Sequence, residues 1–429
     1  MNKLDELIQQ LCPNGVPYRR LGDIATICRG GSFQKKDFTE SGVPCIHYGQ
    51  IYTRYGLFVN ETITYIGEET AQKQKFAEPN DVVMAVTSEN IEDVCKCVAW
   101  LGDGKVAVSG HAAIIHHSMN PKYLVYWLHS SSFYQQKAKI ANGTKVIEVA
   151  PAKLSDVVLP VPPLEIQHEI VRILDTFTEL TAELTAELTA RKQQYEYYRN
   201  TLLNFDLKIP KVKLKDIATA FYRGFGIKRD DVSAEGVPCV RYGEIYTTYN
   251  TWFDTCVSHV DIKKVESPKY FEYGDILFAI TGESIEDIAK SVAYVGHEKC
   301  LAGGDIVVMK HNQNPRYIAH VLATQAAKAQ KGKGKVKSKV VHSNVPSIEN
   351  IEIPLPSLAV QERCAYLLDN FESICSDLNI GLPAEIEARK KQYEFYRDQL
   401  LTFAAQDEIV LTDRQTDRQT DRQTDRQTD

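Results

Sequence analysis

The sequence lacks long apolar runs and the cysteine patterns of metal-binding or secreted proteins. No stretch approaches the ~18 consecutive apolar residues of a membrane-spanning helix, and no secretory signal is recognisable. The ten cysteines are scattered, and only Cys95 and Cys97 lie close together, without a Cys-x-x-Cys or His/Cys group that predicts a metal site. We therefore expect a soluble, reduced, cytoplasmic protein without bound metal.

Motifs of catalysis are missing as well. The chain contains no glycine-rich phosphate loop, no dinucleotide-binding glycine pattern, no nucleophilic serine elbow and no Asn-Pro-Pro-aromatic or Asp-Pro-Pro-aromatic motif of an amino-methyltransferase. Glu92, Asp93 and Lys96 have the residue types of a nuclease site, and the same set recurs at positions 286, 287 and 290. Their i, i+1, i+4 spacing is more typical of a solvated helical turn. We therefore expect no catalytic centre in this chain.

An excess of positive charge is also absent. The formal net charge is -6 at pH 7, which argues mildly against a nucleic-acid partner. Net charge is a weak guide, however, because binding follows the local electrostatic potential. The placement of basic clusters along the chain therefore matters more than the total.

What the sequence does contain is an internal duplication. Residues 42–53 (GVPCIHYGQIYT) and 236–247 (GVPCVRYGEIYT) are identical at nine of twelve positions, at an offset of 194. Residues 81–102 and 275–296 share eleven of 22 positions at the same offset. Residues 191–205 and 389–403 share ten of fifteen, but here the offset is 198. One copy has therefore gained or lost four residues between positions 177 and 191.

Each copy has the same internal order. A segment rich in Tyr, Val, Ile and Gly has short apolar runs between turn residues, which is typical of a mixed α/β globule. A proline-rich entry and a helical segment follow. Expected elements are strands at 82–86, 106–108, 276–280 and 306–309, a hairpin turn at 102–105 and a short helix at 121–130. The predicted domains are an N-terminal helical segment (1–15), a first globule (16–163), a central helical spacer (164–206), a second globule (207–356), a C-terminal helical spacer (357–406) and a disordered tail of Thr-Asp-Arg-Gln repeats (407–429).

Apolar residues recur at helical spacing through residues 164–205 and 358–403, which predicts two long amphipathic helices. Gly381-Leu382-Pro383 predicts a break in the second. We expect an α+β fold in which these helices pack as an antiparallel coiled coil, with the two globules related by a pseudo-twofold axis. The alternative is that each helix folds back on its own globule.

The first helical segment contains a tandem Thr-Ala-Glu-Leu repeat, TELTAELTAELTA, at residues 178–190. Four residues lengthen a helix by about 6 Å and shift its heptad phase. The repeat is therefore a candidate length adjuster between the globules. The alternative is a run of good helix formers with no such role.

Three basic sets are candidates for binding phosphate. Residues 328–339 (KAQKGKGKVKSK) hold six lysines in twelve positions, and residues 137–145 are a weaker equivalent in the first copy. The third set lies early in each globule, beside glycines that let a phosphate approach the backbone. A merely solvated loop is the alternative for the lysine run. The predicted phosphate contacts are Arg29, Lys35, Lys36, Lys145, Arg223, Lys228, Arg229, Lys331, Lys333, Lys335 and Lys337.

The Tyr-Gly-x-Ile-Tyr-Thr block is a candidate for reading DNA bases. Its tyrosines are shared between the copies, whereas its polar members differ. Arg pairs with guanine, Gln with adenine, and Glu accepts from the cytosine amino group. Two copies with the same backbone and different polar side chains would therefore suit the recognition of two different DNA sequences. Surface drift after duplication is an equally weighted alternative. The predicted base-reading residues are His47, Gln50, Arg54, Arg241 and Glu244, with Thr248 opposite Arg54.

The chain resembles the specificity (S) subunit of type I restriction-modification systems, of the TAEL-repeat type. The resemblance covers nearly all of the chain up to Phe403, and its helical motifs are more specific than those of the globules. It departs from the pattern at Gly304-Asp305, which replace Gly110-His111, and in the tail. The residues that carry it are the Gly-Val-Pro-Cys blocks, Ser109-Gly110-His111, LPVPPLEIQ at 159–167 with IPLPSLAVQ at 353–361, ILDTF at 173–177 with LLDNF at 367–371, LPAEIEARKKQYEFY at 382–396 and the TAEL repeat.

The resemblance implies a non-catalytic subunit that binds double-stranded DNA through two target-recognition domains. Each domain reads one half of a split, asymmetric site, while the helices act as a ruler and dock two methyltransferase subunits for adenine N6 methylation. Restriction subunits join for cleavage. S-adenosylmethionine, ATP and Mg²⁺ belong to these partners, and no membrane is involved. Two rival hypotheses are a bivalent protein-interaction scaffold and an enzyme with a diverged site.

Overall fold

The computed structural model describes residues 3–205, 209–282, 288–331, 335–337, 340–376 and 381–403. The predicted tail and Lys333 lie outside these ranges. The chain divides into two compact units. Unit 1 comprises the described parts of Met1–Ala182 and Ala388–Asp429, and unit 2 those of Glu183–Glu387. Each unit thus contains a globule and parts of both helical segments, so the units cut across the boundaries expected from the sequence.

Unit 1 contains two five-stranded sheets. Strand pairing is antiparallel except where Cys97–Trp100 meets Phe58–Val59 and where Val106–Val108 meets Val43–Ile46. The first sheet has the order Ala25–Arg29, Ala112–His117, Val82–Ala85, Cys97–Trp100, Phe58–Val59, and the second has the order Phe38–Thr39, Thr64–Ile66, Val43–Ile46, Val106–Val108, Lys75–Ala77. Two-stranded pairs are formed by Tyr18–Arg20 with Val158–Pro160 and by Thr87–Ser88 with Ile147–Glu148.

Unit 2 repeats this topology strand for strand. Its first sheet has the order Ala218–Arg223, Ile306–His311, Ile276–Ala279, Ser291–Tyr294, Trp252–Phe253, and its second has the order Val232–Ser233, Ser258–Val260, Val237–Val240, Cys300–Ala302, Tyr270–Phe271. The smaller sheets are Lys211–Lys213 with Glu352–Pro354, and Thr281–Gly282 with Val340–His342 and Lys335–Lys337. The same strand order and the same two parallel pairs confirm that the duplication in the sequence is a duplication of the fold.

The helices are also repeated. In unit 1 they are Lys3–Leu11, Leu21–Ile24, Tyr48–Thr53, Glu68–Ala71, Pro121–Leu128, Ser131–Ile140 and Pro151–Leu154; in unit 2 they are Leu214–Ile217, Tyr242–Thr247, Pro315–Leu322, Gln325–Lys331 and Val345–Glu349. Short 3-10 helices cover Lys35–Asp37, Arg229–Asp231 and Ile262–Lys264. The long helices are the central helix, Leu164–Leu202, and the C-terminal helices, Leu358–Ser376 and Gly381–Leu400. No described helix is long and apolar enough to cross a membrane.

Apolar strands with both faces covered form the core of each globule. In Val82–Ala85 every residue is buried; Val82 and Met84 face the cluster around the helix Pro121–Leu128, whereas Val83 and Ala85 face the cluster around Ile46. Alternation along a strand sends neighbours to opposite faces, so a continuous apolar run indicates a sheet that is covered on both sides. The predicted strands and the short helix are confirmed within a few residues.

The turn at residues 102–105 differs from the prediction of a hairpin. Cys97–Trp100 before the turn belongs to the first sheet of unit 1, and Val106–Val108 after it belongs to the second. The turn therefore carries the chain from one sheet to the other, and the Gly104 carbonyl accepts a hydrogen bond from Trp100 Nε1 at 2.6 Å. Glycine and aspartate signal a tight turn, but they do not determine which strands then pair.

Within each unit the long helices run antiparallel and also pack on the globule. In unit 1 Phe177 stacks on Tyr396, while Phe403 further along lies against Tyr18, beside the start of the central helix. In unit 2 Tyr198 stacks on Phe371 in the same way. Leu174 of the central helix and Leu401 nevertheless belong to the core of unit 1. Helix pairing and folding back on the globule, weighed as alternatives from the sequence, therefore occur together.

Candidate nucleic-acid interface

Basic and aromatic side chains of the first copy line one cleft, here called cleft 1. The strand Ala25–Arg29 ends at its rim with Arg29, and the 3-10 helix Lys35–Asp37 contributes Lys35. His47 and Tyr48 come from the start of the helix Tyr48–Thr53, and residues 109–111 follow the strand Val106–Val108. Residues predicted separately from two parts of the sequence are thus brought together.

The second copy forms the equivalent cleft 2. It is lined by Arg229, Arg241, Tyr242 and Glu244, which correspond to Lys35, His47, Tyr48 and Gln50 at the offset of 194. Residues 303–305 complete it, as residues 109–111 complete cleft 1. Cleft 1 has only basic and neutral lining residues, whereas cleft 2 also contains the carboxylates of Glu244 and Asp305. The two clefts therefore share one frame and present different charges.

A close backbone contact forms the floor of each cleft. Gly30 lies so near the carbonyl oxygens of Val108 and Ser109 that a Cβ would collide with them, and Gly224 is held in the same way by Ala302 and Gly303. In cleft 1 the Ser109 hydroxyl also accepts a hydrogen bond from the Tyr48 backbone N–H at 2.9 Å. Glycine is required here because two chain segments meet at backbone distance.

The side chains of His47 and Gln50 cap the N-terminus of the helix Tyr48–Thr53. His47 Nδ1 accepts from the Gly49 N–H at 3.2 Å, and Gln50 Oε1 accepts from the His47 N–H at 2.9 Å. Gln50 Nε2 donates to Thr64 Oγ1 at 3.0 Å. This reciprocal arrangement is a capping box, which satisfies helix N–H groups that have no partner within the helix. Burial lowers the pKa of the His47 imidazole, and the nearby Lys35 and His111 lower it further.

Glu244 has the same capping position in the second copy. Its carboxylate accepts from the Arg241 N–H at 3.0 Å and from the Ser258 hydroxyl at 2.7 Å, and it pairs with the Arg241 guanidinium at 3.0 Å. Gln50 and Glu244 are both less than one-tenth exposed. Their burial and internal hydrogen bonds leave few free atoms for a base edge, and their role as base readers stays a prediction.

The other candidate side chains are placed at the surface. Arg54 is exposed at the end of the helix Tyr48–Thr53. Arg29 pairs with Glu148, and Arg223 pairs with Asp305. Exposed ion pairs contribute little to stability, so these two arginines can exchange their partners for phosphate. The remaining exposed candidates of this group are Lys35, Lys36, Lys145, Lys228 and Arg229.

In the second copy the strand Lys335–Lys337 of the lysine-rich segment lies at the edge of a three-stranded sheet. The backbone of Lys335–Lys337 pairs with Val340–His342, which in turn pairs with Thr281–Gly282. In the first copy Ile147–Glu148, which follows the loop of Lys145, pairs with the equivalent Thr87–Ser88. The strands Ile147–Glu148 and Val340–His342 thus occupy corresponding places, and Thr87 contacts His111 of cleft 1.

Lys331, one of the predicted phosphate contacts, is buried. It ends the helix Gln325–Lys331 with only 6% of its surface exposed, and its ammonium donates to Ser291 Oγ at 3.1 Å. Burial lowers the pKa of this ammonium to about 7, and Lys328 adds repulsion. The density of lysines in the sequence did not show that this side chain turns into the interior.

Residues 111 and 305 were not among the predicted site residues. His111 packs against Tyr48 with ring centroids 5.0 Å apart, and its Nδ1 lies 3.3 Å from Thr87 Oγ1. Asp305 has the corresponding position in cleft 2. The signal was present in the sequence, because His111 and Asp305 align at the offset of 194 within a matched segment. Their contrast had been noted only as a departure from the family pattern.

One group of potential metal ligands occurs among the described residues, formed by His320, Asp369 and Glu372. His320 Nδ1 is 3.2 Å from Tyr195 Oη, and its Nε2 is 2.8 Å from Asp369 Oδ1. The same carboxylate accepts from Trp252 Nε1 and pairs with Arg316. Both ring nitrogens of His320 are thus hydrogen-bonded, and the Arg316 guanidinium lies beside Asp369. The group therefore connects helices by hydrogen bonds and is not suited to bind a metal cation.

Two equivalent clefts on duplicated α/β globules define a two-site binding protein. The family model described as type I restriction modification DNA specificity domain matches the chain twice, at residues 13–191 and 208–388. The chain therefore belongs to the family of type I restriction-modification specificity subunits.

Individual relatives support this family membership. A putative type I restriction enzyme specificity subunit of Haemophilus influenzae is 29% identical over 70% of this chain and 77% of its own. The EcoR124I/EcoR124II specificity subunit of Escherichia coli is 29% identical over 67% and 72%. A putative specificity subunit of Mycoplasma pneumoniae is 31% identical over 70% and 88%. A chain in a solved type I restriction-modification structure shares the fold, with a TM-score of 0.59, 16% identity and coverage of 90% and 97%.

Proposed function

We propose that cleft 1 and cleft 2 each read one half of a split, asymmetric DNA site. The observation that carries this proposal is that the two clefts share one backbone frame but carry different side chains at positions 35/229, 47/241 and 111/305. Two reading surfaces with unlike polar groups favour two unlike half-sites. The chain itself contributes no catalysis and acts in the cytoplasm, where it directs its partners to the chosen sequence.

The roles within each cleft follow from exposure. Lys35, Lys36, Lys228 and Arg229 are free of helix capping and suit contacts to phosphate, as does Lys145 in its exposed loop. Lys335 and Lys337 are assigned the same role from their sequence. His47, His111, Arg241 and Asp305 line the clefts and suit contacts to base edges. Phosphate contacts position the duplex, whereas base contacts select its sequence.

The helices of each unit supply surfaces for protein partners. Phe395 in unit 1 is 64% exposed, and Tyr197 and Tyr366 in unit 2 are 66% and 67% exposed. Large exposed aromatic side chains are enriched at protein–protein interfaces. We assign these surfaces to two methyltransferase subunits, which supply S-adenosylmethionine chemistry at adenine N6, and place the restriction subunits with them in the complete complex.

Replacing one exposed cation in a cleft should weaken DNA binding without changing the sequence preference. Lys35→Ala or Arg229→Ala removes one phosphate contact, so the slope of log affinity against log salt should become less steep by about one. The measurement is a salt titration of duplex binding by the chain assembled with its methyltransferase subunits. Lys105→Ala is the control, because Lys105 is equally exposed but pairs with Glu78 at the opposite end of the strand Val106–Val108. An unchanged slope in both cleft variants would show that neither Lys35 nor Arg229 contacts DNA phosphate.

Replacing the side chain at position 111 or 305 should alter the base preference of one half-site only. His111→Ala should change the base preference in one half of the methylated motif, and Asp305→Ala in the other half. Loss of a good base contact reduces discrimination by about 1–3 kcal/mol, or roughly five-fold to 150-fold. Long-read mapping of methylated adenines in cells that carry each variant measures this directly. A change in both half-sites from either variant would contradict the assignment of one cleft to each half.

A further inference from the structure

Unit 2 contains a cavity of about 420 Å³, open to solvent, where the central helix meets the globule. Arg199 contributes to its wall from the central helix, while Lys290, Lys328 and Lys331 come from the globule. Two carboxylates, Glu196 and Glu372, also line it. The cavity lies apart from cleft 2, with which it shares no lining residue.

Two of these cations are buried without a counterion among the described residues. Arg199 is 7% exposed and Lys331 is 6% exposed. Arg199 lies over the Tyr195 ring at 5.1 Å, and its Nε has no hydrogen-bond partner within the described parts of the chain. Lys331 donates to the Ser291 hydroxyl, and Glu372 accepts from Thr251. Buried charges in proteins are ordinarily paired, so this wall is electrostatically incomplete.

Unit 1 shows how the same positions are completed. Arg397, the equivalent of Arg199 at the offset of 198, pairs with Asp398 at 2.9 Å. Lys137, the equivalent of Lys331, donates to the carbonyl oxygens of Glu92 and Val94 at 2.8 and 2.7 Å. Both basic groups therefore have full partners in unit 1.

In unit 2 three neighbouring side chains differ from those of unit 1. Asn200 stands where unit 1 has Asp398, and Ala323 stands where it has the partly buried His129. Ser291 replaces Cys97 and adds a hydroxyl donor to the wall. These differences remove an acid and a bulky ring and retain both cations. The result is a polar space with several donors in its wall, beside the two carboxylates.

We propose that this cavity binds a dianionic oxyanion of the phosphate or sulfate class, held by Arg199, Lys331 and the Ser291 hydroxyl. A guanidinium, an ammonium and a hydroxyl that line one cavity match the acceptors of such an ion. The depressed pKa of Lys331 agrees with a wall that lacks its anion. Because Arg199 belongs to the central helix and Lys331 to the globule, the bound ion fastens the two together within unit 2.

Sulfate is a suitable probe, because its charge does not change near neutral pH. Calorimetric titration of the full chain with sodium sulfate, against chloride at equal ionic strength, should show saturable binding. Arg199→Met and Lys331→Met should each weaken the affinity at least tenfold. Arg397→Met, the matched change in unit 1, should leave it unchanged. Equal sulfate binding in all four proteins would overturn the proposal.

Two further variants distinguish loss of the site from loss of folding. Asn200→Asp restores the acid of unit 1 beside Arg199, and Ala323→His restores its bulky ring. Both should abolish the sulfate-specific rise in melting temperature while leaving the melting temperature in chloride unchanged or higher. Sulfate also stabilises proteins in general, but that contribution is common to every variant. Persistence of the full sulfate effect in both variants would refute the site.

The source of the oxyanion is decided by a competition experiment. A free ion such as inorganic phosphate should bind equally well in the presence and absence of a saturating DNA duplex. Displacement of sulfate by the duplex would instead assign the site to a phosphate of the DNA backbone. The readout is independent of sequence recognition, so failure of this proposal leaves the reading role of the clefts untouched.

Discussion

Insertion of one Thr-Ala-Glu-Leu unit after Leu188 is expected to abolish methylation at the natural site and to create methylation at a new one. The new site should keep both half-sites and have a spacer longer by one or two base pairs. Four helical residues add about 6 Å, and a base pair occupies about 3.4 Å along the duplex. Long-read mapping of methylated adenines would show the complete replacement of one motif by the other.

The central helix is suited to accept such an insertion. No residue between Leu174 and Tyr195 is buried, so the added turn displaces no core side chain. The Thr189 hydroxyl donates to the Thr185 carbonyl of its own helix, at 2.9 Å. Thr189→Ala, which keeps the length, is therefore the control and should leave the spacer unchanged. An insertion that alters the bases of a half-site would contradict the ruler role.

Asp369→Ala is expected to lower the free energy of unfolding of unit 2 by about 3–5 kcal/mol, the usual cost of removing one partner from a buried charged network. Asp369 accepts from Trp252 Nε1 at 2.9 Å and from His320 Nε2 at 2.8 Å, and it pairs with Arg316 at 3.2 Å. His320 is fully buried, so its ring would be left with an unpaired nitrogen. Hydrogen exchange of the full chain in denaturant reports the loss separately for each unit.

Asp175→Ala is the matched change in unit 1. Asp175 accepts from Tyr126 at 2.7 Å and pairs with Lys122 at 2.6 Å, whose side chain is 32% exposed and can turn to water. The expected loss is therefore smaller, on the order of 1–3 kcal/mol. If the two variants lose equal stability, the burial of His320 is not what makes the unit 2 network important.

The match between sequence and structure was closest where a pattern is repeated locally. The apolar runs at residues 82–86 and 276–280 predicted strands, because a strand buried on both faces contains no polar residue. The spacing of apolar residues from Leu164 predicted the central helix, because its period is that of a helix. The block at residues 42–53 revealed the duplication by direct comparison. None of these inferences depends on which other segment the element contacts.

Polar side chains were harder to interpret, because their roles depend on their surroundings. Gln50 and Glu244 differ between the copies as readers would, yet Thr64 and Ser258 bind them inside the fold. Lys331 belongs to a lysine-rich run, yet the end of its helix turns it into the interior. In both cases a hydrogen-bond partner distant in sequence decides whether the group meets solvent.

The sequence by itself determined the duplication, the order of elements in each copy and the family, since these rest on residue identity and periodicity along the chain. Only the tertiary structure brought Arg29, Lys35, His47 and His111 into one cleft and buried Arg199 with Lys331 around a cavity. Convergence of side chains depends on strand order and helix docking, which local patterns do not encode. The two copies have the same strand order, but they differ in which charged side chains have a partner.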